Sequence, residues 1–230
     1  MNSLFDTEKD FQTTKDWTGF LKIYDSYFKH YKDKEINILE IGVDKGKSLK
    51  LWRSYFTKAK ICGIDISEMN FKIEGVELIT ADQTNIKSLK KICEKYKSFD
   101  IIIDDGSHVS KHIITSFSFL FDYLTVGGLY AVEDLQTSYF PRYGGSRINL
   151  KKKNTALNFL KSLADSINFE HNDKPFYKKK KFDGLIEYVH FYQNIAILKK
   201  GKSKNIFYEN QTKKKNFIEI IKKIISNFYG

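Results

Sequence analysis

With 230 residues, 41% of them apolar and 29% charged, and with 19 Phe and 14 Tyr, the chain has enough material for one domain or a modest two, which excludes disorder throughout. No apolar run approaches the ~18 residues of a membrane span, the N-terminal MNSLFDTEKDF has no basic stretch followed by an apolar one, and Cys62 and Cys93 alone exclude a disulfide scaffold, so a cytoplasmic protein is expected. The net charge of +11 is almost all lysine, with Arg53, Arg142 and Arg147 the only arginines; arginine is the side chain suited to bidentate phosphate and base recognition, so the excess reads as a lysine-coated surface and no nucleic-acid partner is expected.

In chain order, Trp17, Phe20, Leu21, Tyr24, Tyr27, Phe28 and Tyr31 recur at three- and four-residue steps, which predicts an N-terminal helical segment, residues 1–34, packed on the main body or on a neighbouring subunit. Strand and helix patterns then alternate. Strands are expected at 36–41 (INILEI), 61–66 (ICGIDI), 76–80, 99–104 (FDIIID) and 128–133 (GLYAVE), with helices at 48–56, 86–96 and 109–124. The stretch QTSYFPRYGGSR, 136–147, reads as a functional loop, 151–168 as a helix, and 185–192 with 194–199 as a closing antiparallel pair. The expected fold class is therefore α/β: a Rossmann-like, mostly parallel, doubly wound sheet over residues 35–200, with an antiparallel closing strand and with N- and C-terminal helices. The last segment, 201–230, carries an amphipathic helical pattern over 211–229, and together with the aromatic N-terminal stripe it predicts a homo-oligomer.

In such a sheet, ligands sit outside the carboxyl ends of the strands. The first end reads Glu40-Ile41-Gly42-Val43-Asp44-Lys45-Gly46 and opens a helix at Ser48. Two glycines allow a tight turn and close backbone approach. The GxGxxG pattern that suits a pyrophosphate is absent, and a carboxylate beside the loop suits a cationic ligand such as S-adenosylmethionine (SAM). Asp65 closes the second strand, where a carboxylate can take both ribose hydroxyls, and Asp82 with Gln83 closes the third, where polar side chains can read an adenine edge.

The fourth strand ends in Asp104-Asp105-Gly106-Ser107-His108 and the fifth in Glu133-Asp134. Neighbouring strand residues point to opposite sides, so Asp104 and Asp105 can serve two ligands. Asp105, Glu133 and Asp134 can converge only if the chain turns after the fifth strand. Three carboxylates in one pocket need a cation or a proton, and all-oxygen ligation selects a hard ion, Mg²⁺ first; a ligand amine or ordinary helix caps are the alternatives. His108 stands three residues past Asp105 as a candidate base, with His112 one turn further on as a second base or a substrate contact. Tyr139, Phe140, Arg142 and Tyr143 are candidates for a lid over a sugar, with Arg142 placed to meet a diphosphate.

Together, ILEIGVDKGKSLKLW, GIDI, ADQ, FDIIIDDGSH and GGLYAVEDLQTSYF resemble the Mg²⁺- and SAM-dependent O-methyltransferases that modify sugars on macrolide antibiotics, the macrocin and mycinamicin type, within a wider group that includes cephalosporin-hydroxylase-like proteins. The resemblance covers about residues 36–147, and its most specific part is DDGSH followed by EDLQTSYF. It implies that Asp105, Glu133 and Asp134 hold the metal and that His108, with Asp105, carries the catalysis. It also implies that Glu40, Gly42, Gly46, Ser48, Asp65, Asp82, Gln83 and Asp104 line the SAM site, which leaves His112, Tyr139, Arg142 and Tyr143 as the substrate-side candidates read from the residues themselves. Nothing in these 230 residues reads as the large additional N-terminal domain of the antibiotic enzymes, which turns the expected acceptor from a macrolide to a nucleotide-diphospho-sugar such as a heptose, for a bacterial surface polysaccharide (capsule) or a glycosylated metabolite. An RNA methyltransferase and a non-catalytic methyltransferase-like protein are the competing readings; the lysine surface favours the first, and the intact acidic motifs oppose both.

Overall fold

In the computed structural model, residues 3, 4, 11–171 and 177–202 are described; the amphipathic stretch 211–229 lies outside them. Seven strands form one sheet: β1 (Asn37–Ile41), β2 (Lys60–Asp65), β3 (Val76–Thr80), β4 (Phe99–Asp104), β5 (Leu124–Val132), β6 (Ile186–Tyr192) and β7 (Ile195–Lys200). Their order is β3-β2-β1-β4-β5-β7-β6. The first five run parallel, β7 pairs antiparallel with β5, and β6 pairs antiparallel with β7, as the alternating pattern predicted. β5 begins at Leu124, earlier than the sequence pattern placed it, and its register shifts between Phe99 and Ile101 of the neighbouring β4.

Both faces of the sheet are covered, which is why the central strands read as predominantly apolar runs. On one face Leu39, Ile64, Ile102, Tyr130 and Leu198 pack against helices at Ile86–Tyr96, Ser110–Leu120 and Ala156–Ile167. On the other, Ile38, Ile61, Ile101, Ile103 and Ile197 meet two helices, Phe20–Phe28 and Lys47–Tyr55. Alternate residues of FDIIID therefore feed opposite cores. Asn85 caps the helix Ile86–Tyr96 by accepting from the amides of Lys87 and Ser88 at 3.1 and 3.2 Å.

Among the described residues, the N-terminal stripe falls on two helices rather than one. α1 (Thr14–Trp17) and α2 (Phe20–Phe28) are separated by Thr18 and Gly19, and Gly19 is left-handed at φ 74°. This break rotates α1 out of the phase of α2. Phe20, Leu21, Tyr24 and Phe28 are buried as the stripe predicted, whereas Trp17 is 90% exposed. The same rotation carries Lys15 inward, to 1% exposure.

Candidate active site

The ends of β1, β2 and β4 are level, because Ile41 pairs with Ile64 on one side and with Asp104 on the other. A cavity of about 500 Å³ opens above them, walled by Gly42, Ser48, Asp65, Asp82, Asp105 and His108 among others. Gly42 sits at φ 89°, and a Cβ there would lie 2.1 Å from the backbone oxygen of Asp105. The first loop and the DDGSH turn thus touch backbone to backbone, which only glycine permits. We expect Gly42→Ala to cost ~3 kcal/mol or more, as a fall in the urea midpoint, because strain and backbone overlap act together.

Asp65 binds the first loop itself. Its Oδ2 accepts from the amides of Val43 (2.8 Å) and Asp44 (3.2 Å), and its Oδ1 from that of Ser67 (2.8 Å). Burial acts to raise its pKa, but these backbone donors outweigh burial and hold it below the usual carboxylate range. It is on the cavity wall as an ionised group. Asp82 is also on the wall, with Oδ1 accepting from the Thr84 amide (2.7 Å) and hydroxyl (2.8 Å).

Several residues expected at the cofactor are engaged by other protein groups or stand off the wall. Asp104 is 1% exposed and lies off the cavity wall, where it accepts from the Ser116 hydroxyl at 2.8 Å and from Gln83 Nε2 at 3.2 Å. Burial pushes its pKa up to about 6. Gln83 reaches the wall, yet both ends of its amide are engaged: Nε2 donates to Asp104 and Oε1 accepts from the Ser107 amide at 2.8 Å. Asp104 and Gln83 therefore brace the DDGSH turn. Glu40 is fully buried behind the wall, accepting from the Ser48 hydroxyl at 2.9 Å. Gly46, at φ 72°, starts the helix Lys47–Tyr55 and packs on Phe71 and Ile73, also off the wall.

At the acceptor side, the chain turns after β5 as convergence required, with Asp134 left-handed at φ 55°. His108 is left-handed as well, at φ 57°. Non-glycine residues in this region are uncommon, and such strain collects at functional sites. The two turns bring Asp105, His108 and Asp134 together: one potential ligand atom from each lies within 4.8 Å of the others. His108 Nε2 stands 3.5 Å from Asp134 Oδ2. Tyr143 meets the His108 ring edge-on at 6.4 Å, and His112 Nδ1 lies 3.0 Å from the Ser107 hydroxyl on the cavity wall. Arg142 is exposed over the Tyr143 ring at 4.8 Å, while Tyr139 is 39% exposed; neither reaches the cavity wall.

Glu133 is set back from the other two expected carboxylates. It is buried and off the cavity wall, and its Oε1 accepts from Lys15 Nζ at 2.6 Å and from the Tyr24 hydroxyl at 2.5 Å. Burial raises its pKa to about 8, with Lys15 pulling it down and Asp105 pushing it up. The same ammonium donates to Asp105 Oδ2 at 2.8 Å and lies 3.6 Å from Glu40 Oε1. Burial alone would lower the Lys15 pKa, but the surrounding carboxylates, Glu133 first, raise it and keep it charged. Lys15 and Tyr24 are thus the site residues that sequence reasoning missed. Tyr24 carried a signal, since a tyrosine on a buried stripe needs a partner for its hydroxyl; Lys15, one lysine in a lysine-rich chain, carried none.

A mostly parallel sheet whose strand tips carry a glycine turn, an ionised carboxylate and an acidic cluster beside a histidine, around one cavity, is the architecture of a Rossmann-like methyltransferase-type domain. No protein-family profile matches the chain. It is 36% identical over 197 residues to mycinamicin VI 2''-O-methyltransferase of Micromonospora griseorubida and 35% identical over 195 residues to demethylmacrocin O-methyltransferase of Streptomyces fradiae. These matches take in 80% and 79% of this chain, and 48% of each relative, so the chain spans about half the length of the curated relatives it matches. The solved MycE methyltransferase of the mycinamycin pathway, in complex with Mg, SAH and mycinamycin VI, superposes with a TM-score of 0.80 at 34% identity, covering 89% of this chain and 56% of that one. Over about four fifths of its length the chain is therefore similar to one half of the macrocin- and mycinamicin-type sugar O-methyltransferases.

Proposed function

We propose that this protein is a SAM- and Mg²⁺-dependent O-methyltransferase acting on a sugar hydroxyl. The observation that carries the reading is the meeting of Asp105, His108 and Asp134 at the mouth of the strand-end cavity. The donor set fits a hard divalent ion: two carboxylates within reach of one point, in a wall already rich in negative charge. Asp105 and Asp134 would hold it, with Glu133 behind them as the third carboxylate that the resemblance assigns. The cavity and the Gly42 turn suit SAM, with Asp65, an ionised group on the wall, placed to take the ribose hydroxyls. When bound, SAM supplies the electrophilic methyl and Mg²⁺ lowers the pKa of a chelated hydroxyl.

The remaining work falls to the chain's own residues. His108 accepts the hydroxyl proton, and Tyr143 packs on its ring. The cavity walls would hold donor and acceptor side by side, and such orientation is worth roughly 7–11 kcal/mol in intramolecular reactions. Arg142, exposed beside Tyr143, which meets the His108 ring, favours an acceptor with an anionic carrier such as a nucleotide diphosphate. We place the reaction in the cytoplasm; no helix of the described residues is long and apolar enough to cross a membrane. An RNA acceptor is disfavoured, since base methylation has no use for a chelating carboxylate cluster.

Mass spectrometry of nucleotide sugars and glycosylated natural products, incubated with SAM and Mg²⁺, tests the reading. We expect a gain of one methyl on a sugar, abolished by EDTA and restored by Mg²⁺. Transfer that persists in EDTA, or methylation of RNA alone, would refute it.

A further inference from the structure

We infer that Lys15 is a resident cation of the carboxylate site, sharing Asp105 and Glu133 with the divalent ion, so that it weakens the ion's hold and keeps three strand ends together when the ion is gone. The inference rests on the metal reading given above. Lys15 comes from the short helix α1, yet its ammonium reaches the tips of β1, β4 and β5 at once: Glu40 Oε1 at 3.6 Å, Asp105 Oδ2 at 2.8 Å and Glu133 Oε1 at 2.6 Å. Its side chain is 2% exposed, so water does little to screen these interactions. Glu40 Oε1 has no hydrogen-bond partner, and the ammonium is the nearby positive group.

Glu40, Asp105, Glu133 and Asp134 bring four carboxylates to this end of the sheet, and Lys15 is the cation that the chain itself supplies against them. Buried like charges this close repel, so the metal-free site would splay or take up protons without a counter-charge. A fixed ammonium removes that cost in advance. It also competes, because the oxygens it holds are those of two carboxylates expected to bind the ion, and because two cations at one site repel. Tyr24, donating to the same Glu133 oxygen, fixes that carboxylate on the Lys15 side. Lys15 is therefore a positioning residue: it acts on the ion's ligands and not on the reacting atoms.

The test compares the wild type with Lys15→Met and Lys15→Arg, titrating Mg²⁺ alone by calorimetry and following thermal unfolding in EDTA and in Mg²⁺. Lys15→Met should melt lower than wild type in EDTA, gain more from Mg²⁺, and bind it at least about tenfold tighter, whereas Lys15→Arg should stay near wild type. Equal or weaker Mg²⁺ binding by Lys15→Met, with wild type binding normally, overturns the inference and leaves the metal reading standing. Mg²⁺ binding by Lys15→Met but not by wild type supports it, and binding by neither overturns both. Should Lys15→Met fail to fold in either condition, the Lys15→Met/Glu133→Gln pair decides. Recovery of folded protein supports a charge role, and continued failure assigns Lys15 to packing and overturns the inference.

Discussion

Replacing His108 by asparagine should lower methyl transfer by roughly 10²–10⁴-fold while leaving Mg²⁺ and SAM binding within a few-fold of wild type. Asparagine is the informative substitution because His108 occupies a left-handed backbone position, φ 57°, which asparagine tolerates and alanine does not. Its amide cannot take up a proton at neutral pH, so the base is removed and the turn kept. The distance from His108 Nε2 to Asp134 Oδ2, 3.5 Å, leaves two roles for the ring, base or ligand, and the measurement separates them. Calorimetry showing intact Mg²⁺ binding with turnover lost assigns the base. Loss of both would make His108 a ligand, and the proton acceptor would then be sought at His112, which also lines the cavity.

The second large effect is expected at Asp134. Asp134→Asn keeps the left-handed turn, φ 55°, and the side-chain shape while removing one negative charge from the acceptor side. Its Oδ1 accepts from Gln136 Nε2 at 3.1 Å, a contact that the carboxamide oxygen preserves. Mg²⁺ affinity should fall by about a hundredfold, since a hard cation is held chiefly by charge, and methyl transfer at limiting Mg²⁺ should fall with it. Stability should change little, because Asp134 is partly exposed and its backbone bonds remain. Unchanged affinity in a Mg²⁺ titration would remove Asp134 from the ion and leave the cluster as a ligand-amine or capping arrangement.

The alternation of short apolar runs with helical patterns was enough to predict the sheet, because a strand buried on both faces is apolar over most of its length, and INILEI, ICGIDI and FDIIID are, their polar residues falling chiefly at the strand ends. The turn after β5 was legible for a different reason: Glu133 and Asp134 could not both serve one site along a straight strand. Less legible was the direction of each polar side chain once the turns had formed. Asp104 and Gln83 look like ligand contacts in sequence, but the close approach of Gly42 to Asp105 draws the DDGSH turn inward and spends both on bracing it. Glu40 and Glu133 likewise sit at the expected strand ends but point behind the wall.

By itself, the sequence determined the order of strands and helices, the acidic strand tips and the position of the histidine, since each follows from local periodicity and short-range spacing. Only the tertiary structure decided which carboxylates face the cavity and which face Lys15. That choice depends on Gly19 breaking the N-terminal helix and on where α1 then falls, a packing of segments some 90 to 118 residues apart. A charge pair across such a separation leaves no periodic trace along the chain; it exists only once the helix has docked and desolvation has made the ammonium and the carboxylates depend on each other.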